Sequence, residues 1–561
     1  MKRIFLIFAL VAIFGLTSCS DNSEVKSDGP VVKCFNGSFV GYVEDNGVLT
    51  FKGIPFAKAP IGELRWKAPQ PVEASDEVFE AKEYGLPGLQ SYDEGEVASH
   101  GDVSEDCLYL NVWTTDLQMK EDRPVMVWFH GGSYGWGGTV DPLYEGKYLV
   151  EEYPDVVLVT VEYRVNAMGF IDFVDVPGGE AFPDAPYLGI LDQQQALRWI
   201  QQNISGFGGD PNNVTIFGES AGGGSITCHL IAKGSEGLFR RAIPMSGEIC
   251  LQHTPENYKK TGQAAKLLAA TNCTNMDELM ALSEADLLKA LNSEAGGVSA
   301  EGIGGKVGDF NNWPMRSDER SIIPSDGYKA LLEGKSKDVD VMVGIVADEI
   351  RYWAHLQFDP SDEESPLGFY YEWAKAKVDG IKKVGGPETA RRVDESMNYI
   401  DPDSDEWDAK HPGIWKYTEI LNNYNFRLGS ITMAENHSKA GGKGKTYMYV
   451  FGKGYAEGAN KGEDYMKACH ACELTYAFNN LVYKDGAPFD SVLTKRFSNI
   501  FVNFARTGNP SIEGLDIPQY DKTDRSTLIV GRDAEIYVEK NPLPKETELL
   551  LPTYHEFFLK K

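Results

Sequence analysis

The chain has 561 residues, 42% of them apolar, and a formal net charge of −29. That length suits one large domain and that composition a folded protein with a sizeable core. A surface so acidic repels nucleic acid and anionic lipid, which excludes a polyanion-binding role.

In chain order, Lys2 and Arg3 precede an uncharged apolar run, Ile4 to Leu16. A run of about 13 residues is short for a membrane span, which needs roughly 20, but suits the apolar centre of an export signal. Leu16-Thr17-Ser18-Cys19 then resembles a bacterial lipobox. Residues 1–18 are therefore expected to be a lipoprotein signal peptide, and Cys19 the lipidated N-terminus. Residues 19–30 read as a flexible polar tether and 31–561 as the folded body. The expectation is an exported bacterial lipoprotein of the periplasm or outer membrane, held to a membrane only by its N-terminal lipid. Of eight cysteines, removing Cys19 leaves an odd number, so at least one thiol is expected to be free.

Val40 to Ala57 alternates and turns at Asn46-Gly47, a hairpin signal. Val125 to Phe129 is an apolar strand, followed by His130-Gly131-Gly132-Ser133-Tyr134, and Asp155 to Tyr163 is a second strand, dense in Val. Asp192 to Asn203 reads as an amphipathic helix, with Ala196, Leu197, Ile200 and the following Ile204 on one face. A short strand, Val214 to Phe217, runs into Gly218-Glu219-Ser220-Ala221-Gly222, after which Ile226, Leu230 and Ile231 fall at helical spacing. Val339 to Val346 and Thr446 to Phe451 are later strands. Near-continuous apolar strands alternating with helices predict an α/β fold with a buried, mostly parallel sheet. Residues 255–308 and 358–415 depart from that rhythm and are expected to be helical insertions over the sheet. Asp401 to Asp408 superficially resembles a calcium loop, but Glu406 stands where Gly is needed and Pro412 where Glu is needed, so no metal site is expected. Nor is a cofactor: Gly444-Lys445-Thr446 precedes a strand, and Lys439 replaces the first Gly of a phosphate loop.

Gly-x-Ser-x-Gly between a strand and a helix has a specific physical reading. A serine on that sharp turn points its hydroxyl outward, and glycines two before and two after let other backbone pass close by. The N–H of Ala221, at a helix N-terminus, can hold an oxyanion. Ser220 is thus a candidate nucleophile, and such a serine needs a base, which in turn needs an acid.

The run from Phe207 to Gly222 is similar to the serine signature of the type-B carboxylesterases, the cholinesterase-like branch of the α/β-hydrolases. Glu105-Asp106-Cys107-Leu108-Tyr109-Leu110-Asn111-Val112-Trp113 resembles their second signature, and weaker matches run from about Val40 to about Pro510. The resemblance implies the α/β-hydrolase fold and a serine carboxylesterase working through an acyl-enzyme, with a small-molecule ester and water as reactants and no cofactor. In that fold the order is serine, acid, histidine. Among His355, His411, His437, His470 and His555, only His470 opens a segment similar to the family's His-x-x-Glu-Leu-x-Tyr-x-Phe. Asp348 and Glu349 both stand at the end of the strand before it; relatives read Asp-Glu-Gly and use the Glu, which implies Glu349, with Ile350 in place of the Gly. Relatives build the oxyanion hole from the second and third glycines of Gly-Gly-Gly and the residue after the serine, which implies Gly132, Ser133 and Ala221, Ser133 being a departure. Counterparts of Glu219, Ser246 and Glu473 form a buried network in relatives.

The resemblance also implies a Cys250–Cys273 disulfide. The usual partner of Cys107 is missing from Gly85 to Gln90, which leaves Cys107 free or paired with Cys34. Cys469 and Cys472 are placed to bridge around His470. Tyr134, Trp136, Trp313, Tyr352 and Trp353 flank the motif segments and are expected to line a pocket for aryl or bulky acyl esters. Cholinesterases carry a choline-binding Trp between the positions of Gln90 and Cys107, and none exists here. Two other readings compete: a related serine hydrolase acting on amides, thioesters or lactones, and a non-catalytic cholinesterase-like binding protein, a class that typically loses the serine.

Overall fold

A strand such as Val125–Phe129, with no polar face to show to water, is stable only inside a sheet covered on both sides. All five of its residues are buried in the structure. The structure is a computed structural model that describes residues 28–90, 102–118, 123–247, 252–253, 262–291, 315–316, 321–359, 361–362, 364–400, 406–454, 464–480 and 490–560. Its eleven-stranded sheet is built from β1 (Tyr42–Val43), β2 (Leu49–Pro55), β3 (Tyr109–Thr114), β4 (Val125–Phe129), β5 (Val157–Val161), β6 (Val214–Glu219), β7 (Arg241–Met245), β8 (Asp340–Val346), β9 (Thr446–Phe451), β10 (Thr527–Val530) and β11 (Ile536–Glu539). The spatial order is β11-β10-β9-β8-β7-β6-β4-β5-β3-β2-β1. From β5 to β10 every neighbour pairs in parallel; β1, β2 and β3 at one edge and β11 at the other are antiparallel. The expected hairpin is β1–β2, turning through Gly47 at φ 87°.

Helix α1 (Leu188–Asn203) starts earlier than the sequence pattern indicates; Ala196, Leu197, Ile200 and the following Ile204 are buried and Arg198 and Gln202 exposed, but the buried face is wider than the pattern suggests. Asp192, Gln193 and Gln194 are buried along with its apolar residues. They are tolerated because each is paired. Asp192 takes a two-pronged ion pair from Arg164 at 2.7 and 2.8 Å, Gln193 bonds Ser225 and His229, and Gln194 donates to Lys233 O and Ser235 Oγ. Helix α2 (Ala221–Ile231) is buried throughout and packs on β6 and β7.

The polar residues of the Glu105–Trp113 signature tie segments together. Glu105 pairs with Arg65, which donates to the carbonyls of Leu279, Met280 and Leu282 and so anchors the first helical insertion. Asn111 accepts from Gly53 N–H and donates to Thr139 and Thr160. Trp113 donates to Glu145. The first insertion contains helices Gln263–Thr271, Met276–Met280 and Glu284–Leu291. The second runs beyond its expected end at residue 415. Helix α3 (Gly368–Ser396) breaks at Gly386, φ 80°, ahead of Pro387; α4 (Ile414–Asn422) passes through a π-helical turn, Asn423–Arg427, into α5 (Leu428–Lys439).

Candidate active site

The sheet delivers Ser220 at the end of β6, flanked by β4 and β7 through the register pairs Phe129–Gly218 and Met245–Glu219. Its backbone sits at φ 56°, ψ −120°, outside the helical and extended regions. Such a conformation costs on the order of 1–3 kcal/mol and persists only where the surroundings enforce it. Here Ser220 N–H donates to Met245 O at 3.0 Å, and Ser220 O accepts from Gly224 N–H at 2.8 Å. The neighbouring glycines are sterically required. A Cβ at Gly222 would lie 2.0 Å from Phe129 O, and one at Gly223 would lie 2.3 Å from Met245 O.

The loop after β4 touches this turn, since a Cβ at Gly131 would lie 3.3 Å from Ser220 Cβ. Gly132 (φ 107°), Ser133 (φ 53°) and Tyr134 (φ 57°) all have left-handed backbone. At Gly132 a Cβ would meet Trp136 O at 2.1 Å. Gly132 O is engaged by the N–H groups of Gly135 and Trp136. Among the described residues the N–H groups of Gly132, Ser133 and Ala221 donate to no protein group. The Ser133 side chain, where a third glycine is usual, is accommodated by being exposed.

Glu349 lies one turn past β8 and is 1% exposed. One carboxylate oxygen accepts from Ser246 Oγ at 2.7 Å and Val346 N–H at 3.0 Å; the other is 2.6 Å from His470 Nδ1. His470 N–H donates to Glu349 O as well. Asp348 faces away: it accepts from Ala468 N–H and pairs with Arg532 at 3.0 Å. The two adjacent carboxylates thus have separate partners, and it is Glu349, the residue the resemblance implies, that meets His470. Ile350 fits without a glycine because its backbone is helical, φ −70°, ψ −12°.

With Nδ1–H given to Glu349, the neutral imidazole of His470 keeps its lone pair on Nε2. That nitrogen lies 3.1 Å from Oε1 of Glu219, the residue before Ser220, but out of line for a hydrogen bond. Glu473 is fully buried, and among the described residues neither of its carboxyl oxygens has a hydrogen-bond partner. Burial, reinforced by Glu349, pushes its pKa up to about 8, so it holds its proton at neutral pH. The Tyr449 hydroxyl is raised well above its usual value by burial and then by Glu473, Glu349 and Glu219, which marks the same cluster from the β9 side.

The sequence profile of the carboxylesterase family matches residues 28–548. The chain belongs to that family. Para-nitrobenzyl esterase of Bacillus subtilis (strain 168) is 34% identical to it over 525 residues, covering 91% of this chain and 96% of that one. The cholinesterase of Mus musculus is 35% identical over 487 residues, 83% of this chain and 76% of the other. The solved structure of a Geobacillus stearothermophilus carboxylesterase at pH 6.2 matches with a TM-score of 0.74 and 30% identity, over 93% of this chain and 99% of that one. The protein is accordingly a carboxylic ester hydrolase of the α/β-hydrolase fold.

Among the described residues, three rings stand around the imidazole of this carboxylesterase. Trp353 is 5.0 Å, Phe426 4.9 Å and Tyr352 6.2 Å from it, centroid to centroid. Tyr352 and Trp353, two of the five aromatics expected to line a pocket, stand beside the base, and Trp353 is buried. Tyr134 instead packs on Phe170 at 4.8 Å, against the core. Trp136 is half-buried beside Gly132, and Trp313 lies outside the described residues. Phe426 was not legible: it rides on the π-helical turn, whose extra residue breaks the 3.6-residue period on which pattern reading depends.

The cysteines correct several expectations. Among the described residues no disulfide joins Cys34, Cys107, Cys469 or Cys472. Cys228 is core, as its place on α2 suggests. Cys469 and Cys472 do not bridge around His470; the turn is closed by Cys472 N–H donating to Cys469 O, and both thiols are buried, which raises their pKa values well above normal. Cys107 is not paired with Cys34. It faces Gly88, where a Cβ would stand 3.5 Å from its sulfur. Cys250, the expected partner of Cys273, lies outside the described residues, as does Cys19.

Proposed function

We propose that Ser220 is the nucleophile, His470 the general base and Glu349 the acid that orients and stabilises that base, in a serine carboxylesterase. The observation that carries this is the arrangement of His470: its Nδ1 is 2.6 Å from a fully buried Glu349 and its Nε2 faces the Glu219–Ser220 turn. Ser220 Oγ attacks the ester carbonyl while Nε2 takes its proton, and the imidazolium so formed is stabilised by Glu349. The N–H groups of Gly132, Ser133 and Ala221 receive the oxyanion. Collapse passes the proton from Nε2 to the departing alcohol and leaves Ser220 acylated. Water, deprotonated by His470, attacks the acyl-enzyme and releases the acid.

Glu219, Ser246 and Glu473 support these groups without taking part in bond changes. Ser246 donates to Glu349, and a protonated Glu473 avoids a third negative charge beside Glu219 and Glu349. The rings about His470 favour neutral aryl or arylmethyl esters, in line with the substrate named for para-nitrobenzyl esterase. The single aromatic between Gln90 and Cys107, Tyr92, argues against a choline preference. Export and lipidation at Cys19, with the body in the periplasm or at the outer membrane, are inferred from the N-terminal sequence; among the described residues no helix is long and apolar enough to cross a membrane. An oxidising compartment would also favour a Cys250–Cys273 bridge.

The test is Ser220→Ala, expected to lower turnover of p-nitrophenyl esters by about 10⁶-fold with circular dichroism unchanged. A fluorophosphonate should label the parent at Ser220 and leave the variant unlabelled. Parent-level turnover by the variant would overturn the assignment. Amide, thioester and lactone panels, run beside aryl and alkyl esters, separate this reading from that of a related serine hydrolase.

A further inference from the structure

The acid loop, Ala347 to Ile350, is gripped at both ends by one segment of the second insertion. Ile350 N–H donates to Asn422 Oδ1 at 2.7 Å. Asn422 Nδ2 donates in turn to Glu419 Oε2 at 2.8 Å, and the other oxygen of Glu419 pairs with Arg427 Nη1. The second nitrogen of that guanidinium donates to Ala347 O at 2.9 Å. These bonds close a ring: Ile350, Asn422, Glu419, Arg427, Ala347. The two residues inside it are Asp348 and Glu349. The turn that carries Arg427 also carries Phe426, whose ring lies on the imidazole of His470, while Thr547 holds the turn itself by donating to Asn423 Oδ1 at 2.7 Å.

We infer that the segment Glu419–Arg427 is a clamp that sets the Glu349–His470 geometry, with Asn422 and Arg427 as positioning residues. The π-helical turn is what makes this possible. Asn422 on the last turn of α4 and Arg427 at the end of the π turn reach the loop's two ends, while Phe426 reaches the base. An uninterrupted α-helix advances 100° per residue, so removing the extra residue would swing Phe426 and Arg427 relative to Asn422 and open the ring. Position 350 fits the same account. The backbone there is an ordinary helical one carrying a branched side chain, and its N–H is supplied with an acceptor by Asn422 rather than left to find its own.

The inference rests on the role proposed for Glu349 and His470. The ionisable groups close to His470 are Glu349 and Glu219, with Glu473 behind them, and the two clamp variants alter none of these. Asn422→Ala and the milder Arg427→Lys are assayed on p-nitrophenyl acetate, per active site counted by fluorophosphonate titration, with Glu349→Gln alongside. Each clamp variant is expected to lose about 10-fold in kcat per titrated site, the worth of about one hydrogen bond, with KM within about 2-fold. The acid limb of the kcat/KM profile should move down by about half a pH unit, because a less well placed Glu349 stabilises the imidazolium less. A merely structural role would reduce the number of titratable sites and leave both readouts per site unmoved. Parent kcat and an unshifted limb in Arg427→Lys, with Glu349→Gln strongly impaired, would overturn the clamp alone. Parent-like kcat in Glu349→Gln would overturn the reading of the triad beneath it.

Discussion

The nucleophile and the acid–base pair are held in place by different means. Around Ser220 the restraints are backbone: strand register on both sides, a main-chain hydrogen bond to Met245 O, and glycines at 222 and 223 packed onto neighbouring carbonyls. Around Glu349 and His470 they are mostly side chains, Ser246 from one segment and Asn422, Phe426 and Arg427 from another. The first kind of restraint tolerates no added atom. The second tolerates exchange of members one at a time, at a graded loss. That difference fits chemistry in which the attacking oxygen must sit at a fixed point while the base swings a proton between partners.

The largest way to break this contrast is Gly222→Ala. Its methyl would lie 2.0 Å from Phe129 O, so the turn must move. The expectation is a destabilisation of about 3 kcal/mol, and a loss of at least about 100-fold in kcat/KM as the Ala221 N–H is displaced. Calorimetry and steady-state kinetics check both; a variant matching the parent would mean that the turn is not sterically locked.

A smaller effect sharpens the side-chain half. Glu473 has a folded pKa raised to about 8 from an ordinary carboxylate value near 4.5. A raised pKa means that the folded state holds a proton the unfolded state has released, so its contribution is full below about pH 4.5 and is lost as pH rises to about 8. Glu473→Gln removes that dependence. Glu162 is raised to about 8 by its own burial but is present in both proteins, so it cancels. The parent's thermal midpoint should therefore fall more steeply than the variant's between about pH 5 and about pH 8. Parallel curves would show that Glu473 is charged in the fold.

What was legible in the sequence follows the same divide. A backbone restraint leaves a spaced signature, because a close approach requires Gly at a fixed offset; Gly218, Gly222 and the strand before them can therefore be read directly. The apolar strands were readable for a similar reason, since burial on two faces leaves no room for alternation. Side-chain restraints have no such spacing. Asn422 and Phe426 look like any residues of a helical insertion, and the π turn erases the periodicity that would have placed them. Asp348 and Glu349 are neighbours whose surroundings divide through distant partners, Arg532 and Ala468 for the one and Ser246 and His470 for the other. Helix α1 misled in the opposite sense, for polar residues at Asp192, Gln193 and Gln194 imitate a solvated face while being individually paired inside. Thiol pairing was also out of reach, because it is a matter of distance between segments.

Gly88 and Cys107 keep half of a staple, a sulfur facing an empty methyl position 3.5 Å away. Refitting the other half with Gly88→Cys would close a ring of roughly 20 residues and take about 3 kcal/mol of chain freedom from the unfolded state. Free-thiol counting and melting with and without reductant would read it out. A single substitution would thus give this enzyme a redox-controlled tether between the segments of Gly88 and Cys107, made without replacing Ser220, Glu349 or His470.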